Sequence, residues 1–255
     1  MGREAVIGIG HNSGELMPDP VVIEHDGIHV VRDDLAGGGT KARFLVKLFE
    51  KSDEIVYATP AEGGAQSALA WAARVTGKRA TLFVAKRANP HPRALMAKAL
   101  GATVYQVAPG YLTVVRKRAQ DYCAANGAVH APFGLNTPEA IETIAAAARS
   151  TGLEPDEVWC ASGSGVLARS LALAWPKARR HVVQIGRTLT PDEVAGATIH
   201  IHPLAFGQTC RARVPFPSDP HYDAKAWEIA KARRGAGLVV FWNVTGKPEI
   251  ANIKR

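Results

Sequence analysis

One order repeats along the chain: a short apolar run, a turn, and a helical stretch that stops at a glycine. Ile55-Val56-Tyr57-Ala58-Thr59 is a compact apolar run of the kind buried on both faces in a parallel sheet. It ends in Pro60-Ala61-Glu62-Gly63-Gly64-Ala65-Gln66-Ser67, and residues 67–76 then read as a helix closed by Gly77. Residues 80–85 form a second strand, 92–100 a helix ending at Gly101, 102–107 a third strand, and 114–125 a helix ending near Gly127. The rhythm returns where an Ala-rich helix over residues 139–150 ends at Gly152. There Val158-Trp159-Cys160-Ala161 runs through Ser162-Gly163-Ser164-Gly165-Val166 into a helix over residues 167–175. This order predicts an α/β fold with parallel sheets.

Other segments are shorter. Residues 21–23 and 28–31 read as strands around the turn His25-Asp26-Gly27, and residues 182–185, 198–201 and 238–242 as further strands. Asp219-Pro220-His221-Tyr222-Asp223 is a turn into a helix that continues through residue 232. Residues 1–20 show neither period and are expected to form an arm.

A glycine hinge stands between the early strands and the repeating units. In Leu35-Ala36-Gly37-Gly38-Gly39-Thr40-Lys41-Ala42-Arg43, three glycines leave room for a ligand to approach the main chain. Thr40 is placed to cap a helix over residues 41–50, with Phe44, Leu45, Leu48 and Phe49 on its buried stripe. Lys41 then sits in the first turn, where the helix dipole and partial burial both disfavour an ammonium ion. A neutral lysine amine is a nucleophile able to form a Schiff base. The same residues also describe an ordinary turn before an amphipathic helix. At Ser162-Gly163-Ser164-Gly165, free backbone amides and a helix dipole converge on a point suited to a phosphate, or the loop is a plain tight turn.

With 255 residues, the chain can build a large core or two lobes that share a cleft. Hydrophobic residues make up 47% and charged residues 21%, as in soluble globular proteins. The first residues lack the long apolar region of a secretory signal, and no run is long enough to cross a bilayer, so a cytoplasmic protein without membrane contact is expected. Cys123, Cys160 and Cys210 are odd in number and widely spaced, which favours reduced thiols over disulfides. His200 and His202 can share one side of a strand, but no third ligand is evident and no metal is expected. The formal charge is +8 and the pI about 9.6. Basic clusters at Arg116-Lys117-Arg118, at Lys177, Arg179 and Arg180, at Lys231, Arg233 and Arg234, and at Lys254-Arg255 are either solvated faces or a field that draws polyanions such as DNA.

Taken together, six islands resemble the fold-type II pyridoxal-phosphate enzymes, the tryptophan-synthase-β-like superfamily, and within it the branch of aminocyclopropane-carboxylate deaminase and D-cysteine desulfhydrase. Arg32-Asp33-Asp34-Leu35 with Gly38-Gly39-Thr40-Lys41-Ala42-Arg43 matches that branch's Arg-Glu/Asp-Asp-Leu and Gly-Gly-Asn-Lys-x-Arg. Gly64-Ala65-Gln66-Ser67 echoes Gly-x-Gln-Ser-Asn-His, and Pro132-Phe133-Gly134-Leu135-Asn136 echoes Pro-x-Gly-x-Asn. Ser162 to Leu167 echo the phosphate loop Thr-Gly-Ser-Gly-Gly-Thr. Asp219-Pro220-His221-Tyr222-Asp223-Ala224-Lys225 and Val240-Phe241-Trp242-Asn243-Val244-Thr245-Gly246-Lys247-Pro248 echo the two C-terminal segments. The islands keep the family's order from residue 32 to 248.

The resemblance implies two three-layer α/β/α lobes with parallel sheets. The smaller would be an insertion over residues 53–128, and the larger would comprise residues 21–52 and 129–255, after the arm at 1–20. It implies pyridoxal 5'-phosphate as cofactor, held by Lys41 as a Schiff base, by Ser162, Gly163, Ser164, Gly165 and Val166 around its phosphate, by Asp223 at the pyridine nitrogen, and by Thr245. Lys41 would also move the proton at the substrate α-carbon, Tyr222 would act as an acid or base, and Ser67, counted with these two among the catalytic residues, would meet the substrate carboxylate together with Gln66. A homodimer is the family's usual assembly. The chain departs from the pattern at Ala68, Val166, Leu167 and Val244, where the branch carries Asn, Gly, Thr and Thr.

Three functions are consistent with these residues. The first is a lyase, deaminase or decarboxylase acting at the α-carbon of a free amino acid. A second applies the same chemistry to an amino acid attached to a thymine base in DNA, as in bacteriophage hypermodification. For that use the basic surface and the leader-like Ile9-Gly10-His11-Asn12-Ser13-Gly14 speak. The third is a binding protein that keeps the fold without the chemistry.

Overall fold

The computed structural model describes residues 17–108 and 110–247. Most of the expected arm, the Ile9 to Gly14 segment, Pro248 and Lys254-Arg255 lie outside the described residues. The described chain forms ten strands and seven α-helices. The strands are β1 (Val22–His25), β2 (Ile28–Arg32), β3 (Glu54–Thr59), β4 (Arg79–Ala85), β5 (Thr103–Val107), β6 (Val129–His130), β7 (Glu157–Ser162), β8 (Arg179–Gln184), β9 (Thr198–Ile201) and β10 (Val239–Asn243). The helices are α1 (Ala42–Phe49), α2 (Ala65–Thr76), α3 (Pro92–Ala99), α4 (Leu112–Asn126), α5 (Pro138–Ser150), α6 (Val166–Ala174) and α7 (Asp223–Arg233).

Two sheets result. One runs β1-β2-β10-β7-β8-β9 and is parallel except for the β1–β2 hairpin. The other, β5-β4-β3-β6, is parallel throughout. Alternating side chains send successive residues to opposite faces, and the burial shows it. In β7, Val158 and Cys160 join the core shared with α1, α5 and α6, while Trp159 and Ala161 pack with Trp227 of α7. In β3, Ile55 and Tyr57 face α2, while Val56 and Ala58 face Val115 and Ala119 of α4. Each sheet is thus covered on both faces, the three-layer arrangement the resemblance implies. The two-residue β6 adds to the smaller sheet beyond residue 128, where the sequence places the return to the larger lobe. It is too short to carry a period of its own. Among the described residues no helix is long and apolar enough to cross a membrane.

The position of β10 matters most for the site. It enters between β2 and β7, so the segments following β2, β10 and β7 emerge together at the C-terminal ends of three adjacent parallel strands. These segments carry Lys41, Thr245 and the Ser162 to Val166 loop.

Candidate active site

The hinge that presents Lys41 is held from below by a buried carboxylate. Asp33, fully buried, accepts from Arg43 Nε at 3.0 Å and Nη2 at 2.6 Å, from the Thr40 hydroxyl at 2.7 Å and from Trp242 Nε1 at 3.1 Å. Thr40 does not cap the helix, as the sequence suggests. Its hydroxyl donates to Asp33 and accepts from Trp242 Nε1 at 2.9 Å, because a buried carboxylate demands donors more strongly than a helix end demands an acceptor. Lys41 itself takes the cap position, and α1 begins at Ala42. Gly39 has φ +68°, and a Cβ there would lie 2.4 Å from the Val244 carbonyl oxygen, so the hinge presses directly on the segment after β10.

Lys41 lines a cavity of about 660 Å³ together with Tyr57, Gly134, Gly163, Ser164, Tyr222 and Thr245. Its amine has no hydrogen-bond partner among the described residues. Burial lowers its proton affinity below the ordinary lysine range, Asp223 acts in the opposite direction, and Arg93 adds to the lowering. The amine is therefore biased toward the neutral, nucleophilic form.

Tyr222 and Asp223 stand at the start of α7. The Tyr222 hydroxyl accepts the Gly163 N–H at 2.9 Å, and burial raises its proton affinity, so the phenol keeps its proton. Asp223 is fully buried beneath Thr245, whose N–H it accepts at 3.2 Å through Oδ2. Its Oδ1 has no partner among the described residues. Burial, reinforced by the Asp219 charge, pushes the Asp223 carboxyl well above the usual carboxylate range.

This shift has a measurable consequence. A raised carboxyl contributes stability that is complete below its unfolded value and lost as pH rises through the folded one. Asp223→Asn, compared with the parent protein without added ligand, is expected to leave melting at pH 4 unchanged and to raise it progressively toward pH 8. A gain independent of pH would mean that Asp223 is already ionised in the folded protein.

In the glycine loop, two amides are already engaged: Gly163 N–H by Tyr222, and Gly165 N–H by Ser162 Oγ at 2.9 Å. The Ser164 amide and hydroxyl and the first-turn amides of α6 have no acceptor among the described residues. Gly163 and Ser164 line the main cavity. Ser162, Ser164, Val166 and Leu167 line a small recess that shares Lys41, Gly134 and Tyr222 with it. Gly165 lines neither; at φ +80°, with the Glu193 carbonyl oxygen 2.0 Å from where a Cβ would be, it makes the turn.

Gln66 and Ser67 are not brought into the cavity. Both are buried within α2: Gln66 Nε2 donates to the carbonyls of Pro60 at 3.1 Å and Ala61 at 2.7 Å, and Ser67 Oγ donates to Gly64 O at 3.2 Å. Gly63, Gly64 and Ala65, at the N-terminus of α2, line the cavity instead. Asp219 and Phe133 lie in motifs the sequence singles out and Arg116 in one of its basic clusters, but none of the three carries a site role there, and Arg93 lies in no motif. Asp219 lines the cavity and pairs with Arg93, while the Arg116 guanidinium lies 4.8 Å from the centre of the Phe133 ring. For Arg93 the only signal is a charged residue on the helix face of Ala94 and Ala97.

The histidines go elsewhere. His200 Nε2 lies 3.0 Å from His181 Nδ1, and His202 forms a group with Cys210 and Glu228 whose ligand atoms lie within 4.8 Å of one another. In that group Leu204 N–H donates to His202 Nδ1, so Nε2 carries the proton and donates to Glu228 at 2.8 Å. These contacts satisfy the three side chains as a hydrogen-bonded triad.

A family model described as pyridoxal-phosphate dependent enzyme matches residues 23–233. No curated protein matches the chain in sequence. Among solved structures it is similar to an ACC deaminase homologue, with 17% identity, a TM-score of 0.73, and 87% of this chain and 85% of that chain covered. It is also similar to threonine deaminase isoform 2 from Solanum lycopersicum, with 13% identity, a TM-score of 0.66 and coverage of 94% and 83%. Diaminopropionate ammonia lyase from Escherichia coli superimposes with 18% identity, a TM-score of 0.60 and coverage of 88% and 79%.

Proposed function

Because the chain belongs to the pyridoxal-phosphate-dependent enzyme family, with the type II fold, we propose that it is a lyase, deaminase or decarboxylase acting at the α-carbon of an amino-acid substrate through Lys41. The observation that carries this reading is the Lys41 amine, biased toward neutrality and without a partner among the described residues, opening on a cavity that also holds Tyr222.

The residues present fit the cofactor. Ser164 and the first-turn amides of α6 would hold its phosphate, and Asp223, whose Oδ1 lacks a donor among the described residues, would face the ring nitrogen. When bound, pyridoxal phosphate supplies an electron sink for the pair left on the α-carbon. Lys41 would attach the cofactor and carry the α-proton. Tyr222, holding its proton tightly, would orient the reacting groups as a hydrogen-bond donor. The substrate carboxylate would be received at the N-terminus of α2, with Gln66 and Ser67 bracing that turn from behind. Val166 and Leu167 offer backbone amides where the branch adds a threonine hydroxyl.

The test combines borohydride reduction of the PLP-loaded protein, mass spectrometry of the Lys41 peptide, and assays for ammonia and carbon dioxide from free amino acids. Label on Lys41 with release of either product is expected. Absence of label on Lys41 would refute the assignment.

A second reading, the same chemistry on an amino acid carried by a DNA base, is favoured by the size of the cavity and by Arg116, which lines it, stacks on Phe133 and has no acidic partner among the described residues. An aromatic ring beside a free guanidinium suits a base and its phosphate. DNA binding that falls steeply with salt is expected on this reading. Turnover of free amino acids without DNA binding at low salt would remove it.

A further inference from the structure

Arg93 is 2% exposed, and its guanidinium joins parts of the molecule that are built on different sheets. From α3, beside the smaller sheet, it donates to Ser67 Oγ of α2 at 3.1 Å. Across the cleft it donates to Asp219 Oδ2 and to the Gly246 carbonyl at 3.3 Å, both beside the larger sheet. Asp219 is equally enclosed, at 4% exposure. A buried ion pair in which either partner alone would be an uncompensated charge resists separation of the two sides.

Asp219 is also the organising residue of the turn that presents Tyr222 and Asp223. Its Oδ1 accepts the His221 N–H at 2.7 Å, and its carbonyl accepts the N–H groups of Tyr222 at 3.1 Å and Ala224 at 3.0 Å. Its own N–H donates to Thr245 O at 3.1 Å. Arg93 further lies directly behind the cavity wall. A Cβ on Gly64 would lie 3.9 Å from the Arg93 Cζ and 3.9 Å from the Thr245 Cγ2, so Gly64 marks the seam where the two sides meet.

We propose that Arg93 is a positioning residue: its pair with Asp219 latches the smaller-sheet side to the turn at residues 219–224 and so sets Tyr222 and Asp223 against Lys41. The latch depends on the proposed function only for its effect on turnover, since the contacts themselves join two halves of the cleft. It also couples the position of α2, which lines the cavity, to the groups at the start of α7.

Hydrogen exchange by mass spectrometry, with and without PLP, tests the latch on the full chain. In Arg93→Met, amide exchange at residues 219–224 and 63–68 is expected to rise by about tenfold while β7 and β8 stay protected. Arg93→Lys keeps the charge and is expected to restore part of that protection. Arg93→Met/Asp219→Asn removes both charges, which covers the case where the single variant does not fold. It is expected to recover melting temperature while residues 219–224 continue to exchange fast. The pH midpoint of the bound-cofactor absorption is expected to move upward in Arg93→Met, because a positive charge near Lys41 is gone. Unchanged exchange at 219–224 in Arg93→Met would overturn the proposal, as would full return of exchange and pH midpoint in the double variant. Failure of the protein to load PLP would count against the functional reading alone, because the exchange comparison without PLP stands by itself.

Discussion

Lys41→Ala, purified and supplied with pyridoxal phosphate, is expected to lose turnover by about 10³-fold and to yield no borohydride-stable label, while melting at or above the parent temperature when both proteins are compared without the cofactor. The two halves of this result separate a reacting residue from a structural one. Lys41 donates to nothing among the described residues, so its removal breaks no hydrogen bond. Its proton affinity is lowered by burial, and a lysine so lowered contributes stability that is complete above its unfolded value of 10.5 and is lost as pH falls through the folded one. Below the unfolded value it is therefore a liability to the fold, and the melting gain of the alanine variant should grow as pH falls below 10.5. A variant that kept its label and its turnover would show that another amine carries the chemistry.

The opposite pattern is expected at Asp33. Asp33→Ala leaves the Arg43 guanidinium buried and without its carboxylate, with the Thr40 hydroxyl and the Trp242 indole losing an acceptor as well. Breaking one side of a buried pair costs about 3–5 kcal/mol, which for a chain of this size lowers the melting temperature by roughly 6–20 °C. Urea and thermal unfolding would read this directly. Asp33→Asn/Arg43→Met, which removes both charges, should recover a large part of the loss. If Asp33→Ala melted within 2 °C of the parent, the brace under the hinge would not be what holds Lys41 in place. Activity should fall in step with stability here, whereas in Lys41→Ala it falls alone.

The parts of this molecule that could be read in advance are those written locally. The apolar run at residues 55–59, the glycine stops at Gly77 and Gly127, and the Gly-Gly-Thr-Lys hinge announce strands, helix ends and a ligand approach within a few residues of one another. The role of Thr40 is not written locally, because its partners come from elsewhere: Asp33 folds back from seven positions earlier, and Trp242 arrives from 202 positions later. Arg93 was invisible for the same reason, since its acceptor Asp219 is 126 residues distant and nothing near residue 93 requires a buried charge. Gln66 and Ser67 sit in a motif that resembles a substrate-binding turn. Whether such a turn shows its side chains or its backbone to the cavity depends on the helix's rotation about its axis, and here Gly63, Gly64 and Ala65 are shown. His202, Cys210 and Glu228 converge only because a long irregular segment brings Cys210 back to α7.

The placement of β10 between β2 and β7 also bears on how the molecule comes into being during synthesis. Asp33 and Trp242 are 209 residues apart, so the brace under Lys41 lacks its third donor until β10 has left the ribosome. The four-stranded sheet draws all its strands from a continuous stretch and is free to form while β2 still waits for its neighbour. Until then β2 presents an open, apolar edge, Val30 and Val31 included, that only the late strand covers. A growing chain of this kind therefore holds a finished half beside an unclosed one from the emergence of β6 until that of β10. That interval is when chaperones would have the most to bind.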